Sequence, residues 1–355
     1  MKKQILKISE KLKKDEALLI ESDANRFYFT GFSSSAGYVL ITNDSSYFLV
    51  DFRYIEAAKK TVNSCEIVLI SNVFEQIKQL LKKHNIKDLF IETNFVSISK
   101  YNSYNKIFEG FSISSDNKFD LIIRKLRSIK DESEIEQIKF AQKITDETFS
   151  YILNNISAGR TEKEIMLDME FFLRKNGSEG VAFDFIVVSG ENTSLPHGVA
   201  TDRKIKNGDF ITMDFGAVIG GYRSDMTRTV AVGFVSEEQR KVYGTVLNAQ
   251  MKALEAIKPD KISKDIDKIA RDCIKQKGYD GCFGHGLGHS VGIDIHEDPC
   301  FNTRCETPLK KGMVLTVEPG IYIENKFGVR IEDMVYITDN GCKNLTSSPK
   351  ELIII

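Results

Sequence analysis

Runs of four or five apolar, β-branched and aromatic residues recur through the first third of the chain, with wider, helix-like spacing between them. Positions 17–20, 37–41, 47–50, 66–70 and 88–91 are such runs, and each predicts a strand. Asn43-Asp44-Ser45-Ser46 predicts the turn between the second and third. Positions 72–83 predict a helix, and the Lys-rich positions 1–14 an amphipathic one. Alternation of this kind implies an α/β domain with a mixed sheet over residues 1–125.

The pattern then changes. Asp131 with Glu134 forms a capping box opening a long helix. Ile135, Ile138, Ala141, Phe149, Ile152 and Ile156 lie on one stripe of it. Thr161 with Glu164 opens a second helix that Gly177 closes. Ser236 with Gln239 opens a third, stopped at Pro259, and positions 263–277 are a fourth. Two hairpins complete the pattern. Positions 209–219 and 222–232 flank Gly220-Gly221, and positions 313–323 and 328–338 flank Glu324-Asn325-Lys326-Phe327. Residues 126–355 therefore predict an α+β domain with helices on an antiparallel sheet. All six prolines lie at or after Pro196, which agrees with a change of domain.

Composition removes several classes of function. A formal net charge of −1 with no long basic run argues against nucleic acid or an anionic membrane as partner. No apolar stretch is long enough for a membrane span, and the N-terminal positions lack the apolar run of a secretory signal. Six cysteines with no Cys-x-x-Cys spacing, in a chain of 355 residues, imply reduced thiols and a cytoplasmic location.

The chemistry lies in the hairpins. Asp214 sits in Ile-Thr-Met-Asp-Phe-Gly, Glu318 in Val-Leu-Thr-Val-Glu-Pro-Gly-Ile and Glu332 in Gly-Val-Arg-Ile-Glu-Asp-Met-Val. Strands this apolar are buried, and an unpaired carboxylate there costs several kcal/mol. A turn at Gly220-Gly221 sets residue 214 opposite 227, so Asp225 becomes the diagonal neighbour of Asp214 on the same face. Two like charges so placed call for a cation between them. Asp225 alone would read as a turn cap; Asp294, Asp333 and His84 are read as structural.

Three of the five histidines, His285, His289 and His296, lie within twelve residues threaded with glycines. Imidazole with several carboxylates suits Mn²⁺, Co²⁺, Fe²⁺ or Zn²⁺ and disfavours a thiolate site. Four carboxylates balance two divalent ions, the arrangement of two-metal hydrolases.

These residues resemble the pita-bread metallopeptidases, namely prolidase, aminopeptidase P and methionine aminopeptidase. The matching stretches are LPHG (195–198), MDFG (213–216), SDMTRT (224–229), HGLGHSVGIDIHE (285–297), EPGIYI (318–323) and VRIEDM (329–334). FYFTGF (27–32) and VDFRY (50–54) resemble the creatinase-type N-terminal domain of the prolidase and aminopeptidase P branch. The resemblance implies a pita-bread catalytic domain, 126–355, behind a creatinase-type domain, 1–125.

It also implies roles. Asp214 binds one metal, Asp225 and Glu332 bridge both, and His289 and Glu318 bind the other, with Mn²⁺ the expected ion. Glu318 accepts the proton of the attacking water and His296 stabilises the oxyanion. His197 contacts the substrate near the leaving proline nitrogen. His285, Tyr322 and Arg330 line the site, Arg330 orienting either the substrate carboxylate or the ligands. The implied substrates are small peptides with proline second, cut before the proline by a homodimer. A prolidase restricted to dipeptides is the leading reading and aminopeptidase P the alternative. A metal-free creatinase-type hydrolase and a non-catalytic binding protein on the same fold are the remaining readings.

Overall fold

The structure, a computed structural model, describes residues 3–355. The chain divides into two compact units, the first ending at Leu126 and the second running from Arg127 to Ile355.

In the first unit, β1 (Glu16–Ile20), β2 (Tyr38–Thr42), β3 (Ser46–Val50), β4 (Glu66–Leu69), β5 (Asp88–Ile91) and β6 (Ser112–Ser114) form one sheet in the order β4-β3-β2-β1-β5-β6. β1 pairs antiparallel with β2 and parallel with β5, so the sheet is mixed as the alternating pattern predicts. Its helices are α1 (Lys3–Ser9), α2 (Asp23–Thr30), α3 (Ile55–Thr61), α4 (Val73–Lys83), α5 (Ile98–Ile107) and α6 (Lys118–Ser128), the last crossing the boundary. The helix expected over 1–14 is only Lys3–Ser9; beyond it Lys11 and Leu12 donate three residues back, to Ile8 O and Ser9 O, in tight turns that keep Leu12 buried, and Met1 and Lys2 lie outside the described residues. Phe27 to Thr30 of FYFTGF form the last turn of α2: Ser22 caps the helix and Gly31, at φ 72°, ends it.

In the second unit, the three capping boxes form as their spacing requires, at Asp131, Thr161 and Ser236. They open α7 (Glu132–Leu153), α8 (Glu162–Lys175) and α9 (Glu237–Ala256); α10 covers Ser263–Gln276. The strands are β7 (Ile186–Ser189), β8 (Phe210–Phe215), β9 (Val218–Ile219), β10 (Tyr222–Arg223), β11 (Met226–Ala231), β12 (Gly288–Ser290), β13 (Glu297–Phe301), β14 (Val314–Val317), β15 (Gly320–Ile323), β16 (Phe327–Arg330), β17 (Asp333–Ile337) and β18 (Cys342–Asn344). Every strand pair among them is antiparallel. One core packs α7 and α8 on β7, β8 and β11 through Ile144, Phe149, Ile165, Met169, Met213 and Val230. A second packs α9 and α10 against the later strands through Val246, Ala270, Leu315, Val329 and Val335. Each core is a helix pair covering one hairpin, which leaves the other face of both hairpins to build a site.

The hairpins differ from the continuous strands expected. β8 pairs with β11 out to Phe215↔Met226, and pairing resumes only at Val218↔Arg223. Gly216-Ala217 and Ser224-Asp225 interrupt the ladder. The backbones close tightly there: a Cβ on Gly216 would collide with the Ser224 carbonyl oxygen, and Ser224 Oγ accepts the Ala217 amide at 2.9 Å. The second hairpin breaks alike. β14 pairs with β17 to Val317↔Asp333, and β15 pairs with β16 from Gly320↔Arg330. Glu318-Pro319 and Ile331-Glu332 lie between; Pro319 has no amide to give a ladder.

Candidate metal centre

The two interruptions place the acidic residues. Asp214 stays in β8 opposite Thr227, the register the Gly220-Gly221 turn dictates. Asp225, Glu318 and Glu332 occupy the gaps. The amides of Glu332 and Glu318 bond outside their own hairpin ladder, to Thr227 O at 3.0 Å and to Leu287 O at 2.8 Å. The first of these bonds ties the two hairpins together at the point where both carry carboxylates. β12 brings His289 alongside, next to a register shift against β13.

All five residues line one cavity of about 950 Å³. Asp225, His289 and Glu332 offer ligand atoms that all lie within 4.8 Å of one another. His289 Nε2 is 3.5 Å from Asp225 Oδ2 and 3.4 Å from Glu318 Oε1. Burial, with the charges of Glu332, Asp214 and Glu318, pushes the Asp225 carboxyl well above its ordinary range. Burial, Glu318 and Asp214 do the same to Glu332. Glu318 rises to about 8, chiefly by burial, with Arg330 opposing. Burial lowers His289 to about 4, helped by neighbouring His296, so its ring is neutral and able to ligate.

Divalent metal ions fit this donor set. Crowded, buried carboxylates of one sign are what a cation resolves. Asp214 Oδ1 is buried without a hydrogen-bond partner, while its Oδ2 accepts Arg330 Nη2 at 2.7 Å. Asp214 and Glu318 lie outside the close group of Asp225, His289 and Glu332 but line the same cavity, where the orphaned Asp214 oxygen is free to meet a cation.

The remaining expected residues line the same cavity, except Tyr322, which stands behind it. His285 Nε2 and Tyr322 Oη lie 2.9 Å apart, and Arg330 Nη1 donates to the same phenol at 2.9 Å. Burial lowers His285 to about 4, with Arg330 adding to the effect. Arg330 also donates to Pro196 O and Thr227 Oγ1, so its guanidinium is committed to the protein. His197 and His296 are exposed on the cavity wall, and the His296 ring meets that of His289 edge-on at 4.4 Å between centroids.

Residues 136–339 match the metallopeptidase family M24, and residues 4–129 match the creatinase/prolidase N-terminal domain. The chain belongs to metallopeptidase family M24. It is similar to the Xaa-Pro dipeptidase of Pyrococcus furiosus, 40% identical over 339 residues, which is 95% of each chain. Among solved structures it resembles the Xaa-Pro dipeptidase from Bacillus anthracis, with 39% identity, coverage of 99% of this chain and 98% of the other, and a TM-score of 0.93. It also resembles the X-Pro aminopeptidase from Thermotoga maritima, with 38% identity, coverage of 98% and 100%, and a TM-score of 0.90. As an M24 member the chain is a metal-dependent peptidase with a pita-bread catalytic domain.

Several residues that support this M24 site are outside the expected ligand and substrate residues. Thr316 Oγ1 accepts the His289 amide at 3.1 Å and lies 3.3 Å from Glu318 Oε1, to which it donates. Thr227 donates to Glu332 Oε2 at 2.7 Å. Asp267, buried on α10, accepts the Leu287 amide at 3.0 Å and pairs with Arg271, which in turn donates to His285 O. The threonines were findable as polar residues inside apolar strands. Asp267 was findable as a charge on the buried stripe of an amphipathic helix.

Proposed function

We propose that this M24 peptidase hydrolyses the peptide bond preceding proline in Xaa-Pro dipeptides. The carrying observation is the convergence of Asp214, Asp225, His289, Glu318 and Glu332 on one cavity, with an orphaned carboxylate oxygen among them. The choice of proline is supported by Xaa-Pro dipeptidases that align over nearly all of both chains. Those five residues would hold two divalent ions, which neutralise the carboxylates and make a water acidic enough to attack at neutral pH. Oxygen donors with one imidazole favour Mn²⁺.

The chain's own groups divide the remaining work. Glu318 would take the proton of the attacking water at a carboxylate oxygen, a role that needs it ionised, as it would be beside bound cations. His296 donates to the scissile carbonyl oxygen as charge develops there. His197, on the cavity wall, would stand near the proline nitrogen as it leaves. That nitrogen has no N–H before cleavage and must gain a proton to depart, so an imidazole suits the position. Arg330 holds Asp214 in place rather than the substrate, and Tyr322 fixes neutral His285. Val181, Phe183, Phe185 and Ile295 supply apolar wall for the substrate side chains. We further infer a cytoplasmic enzyme, in line with six free cysteines and with the lack, among the described residues, of a helix long and apolar enough to cross a membrane. A two-fold homodimer is the corresponding assembly.

The test is a parallel assay of an Xaa-Pro dipeptide and an Xaa-Pro-Xaa tripeptide, with Mn²⁺ and after chelation. Mn²⁺-dependent cleavage of the dipeptide is expected. Intact Xaa-Pro bonds beside cleavage of other amides would overturn the reading. Preference for the tripeptide would favour the aminopeptidase reading, which the likeness to the Thermotoga maritima structure supports.

A further inference from the structure

Two charged side chains outside the ligand set are almost wholly buried. Lys130 is 1% exposed and Glu297 6% exposed, and they pair at 3.2 Å. Lys130 Nζ also donates to Ser290 Oγ at 3.0 Å. The second Glu297 oxygen accepts Arg127 Nη2 at 2.5 Å and the backbone amides of Ile293 and Asp294 at 3.0 and 3.2 Å. Arg127 reaches Asp294 Oδ2 as well, at 2.6 Å. Arg223 also lies within electrostatic reach of Asp294, Glu297 and Arg127, so three cations surround two carboxylates. Buried charges are tolerated only when so satisfied, and removing one partner exposes the full desolvation cost of the rest.

The cluster sits on one stretch of chain. Residues 290–295 join His289 to His296, whose rings touch. Glu297 folds back over this stretch and binds its middle by two amides. Gly292 leaves the necessary room, since a Cβ there would meet the Glu297 carboxylate at 2.6 Å. From the other side, Gly292 O accepts the Arg223 amide at 2.9 Å. His296 is exposed, so little packing restrains its ring and the backbone beneath decides where it points.

We infer that Glu297, clamped by Lys130 and Arg127, is a positioning residue that holds His289 and His296 in fixed relation across the cavity. The inference rests on the proposed roles of those two histidines. The clamp acts through the backbone of 290–297 and touches no substrate.

The experiment uses the full chain, metal-loaded, with Glu297→Gln, Lys130→Arg and the double variant Lys130→Met/Glu297→Gln. Glu297→Gln is expected to lower kcat about 10- to 100-fold, the range for residues that support metal ligands from behind. KM should move less than about threefold, because the lost interaction matters in the transition state. Hydrogen exchange at the Ile293 and Asp294 amides should speed up at least about tenfold. Lys130→Arg should keep wild-type kcat. The double variant removes the Lys130–Glu297 pair together and leaves Arg127 on Asp294; with a wild-type far-ultraviolet circular dichroism spectrum verifying the fold, its kcat should stay low. Wild-type kcat in the double variant would overturn the clamp and leave a role in folding alone. Unchanged exchange in Glu297→Gln would overturn it too. If the wild type leaves Xaa-Pro bonds intact, the proposed function falls, while the exchange measurement still decides the clamp.

Discussion

In the first unit, β1 runs from Glu16 to Ile20 between β2 and β5 with all five residues buried and its ladders unbroken on both sides. In the second unit, two hairpins stop pairing in mid-strand, resume, and put Asp225, Glu318 and Glu332 in the gaps. Both regions use apolar, β-branched sequence. The unbroken ladder satisfies its backbone internally and can bury aliphatic side chains on both faces. The broken ladders turn amides toward neighbouring strands and turn carboxylates inward. The one buried carboxylate of β1, Glu16, is paired by Lys13 and Lys118; carboxylates gathered in the gaps cost stability that a bound cation restores.

That contrast can be broken or sharpened by mutation. The largest effect is expected from Glu332→Gln, which removes a proposed bridging ligand. Peptidase activity should fall by more than about a hundredfold, beyond the loss for residues that merely support ligands. In metal-free protein the same change should leave the melting temperature equal or higher, since it deletes one of several repelling charges. A clear loss of metal-free stability would contradict the account of the gaps. Next comes Leu19→Ala in the unbroken sheet, where the side chain is 1% exposed. Denaturant titration should show a loss of about 2–5 kcal/mol, with metal affinity by calorimetry unchanged. Reduced metal affinity would mean that the two regions are not energetically separate.

Gly216→Ala fills one interruption. Its Cβ meets the Ser224 carbonyl oxygen, so the backbone beside Asp225 must move. We expect about 1–3 kcal/mol of destabilisation together with weaker metal binding. An unperturbed metal affinity would show that the gap need not be so tight. The smallest effect concerns pH. Burial alone would raise the Glu297 carboxyl, but Lys130 and Arg127 outweigh it and hold it below the ordinary value of 4.5. A depressed folded pKa stabilises above the unfolded pKa and is lost as pH falls through the folded one. Stability should therefore decline as pH drops below about 4.5, and Glu297→Gln should flatten that decline in an acid titration followed by circular dichroism.

Much of this was legible along the chain. Capping boxes at Asp131, Thr161 and Ser236 are local hydrogen-bond patterns within four residues, and they form where the spacing puts them. The pairing of Asp214 with Thr227 follows from a two-glycine turn and strand parity. A carboxylate inside an apolar run announces a need for a partner wherever it occurs. The short-range rules therefore reached the fold class, the strand register and most of the acidic residues.

Other features required the folded molecule. The hairpin interruptions arise because the amide of Glu332 finds Thr227 O in the other hairpin, more than a hundred residues away. Arg330 bonds Asp214 across 116 residues, a partner that spacing did not single out. Lys130 and Glu297 meet across 167 residues, and nothing near either one in the chain marks it as buried. What the sequence by itself determined were groups whose partners lie within one turn or one hairpin. What only the tertiary structure decided was which distant partner each buried charge obtains. Burial makes a partner obligatory, and packing alone chooses it.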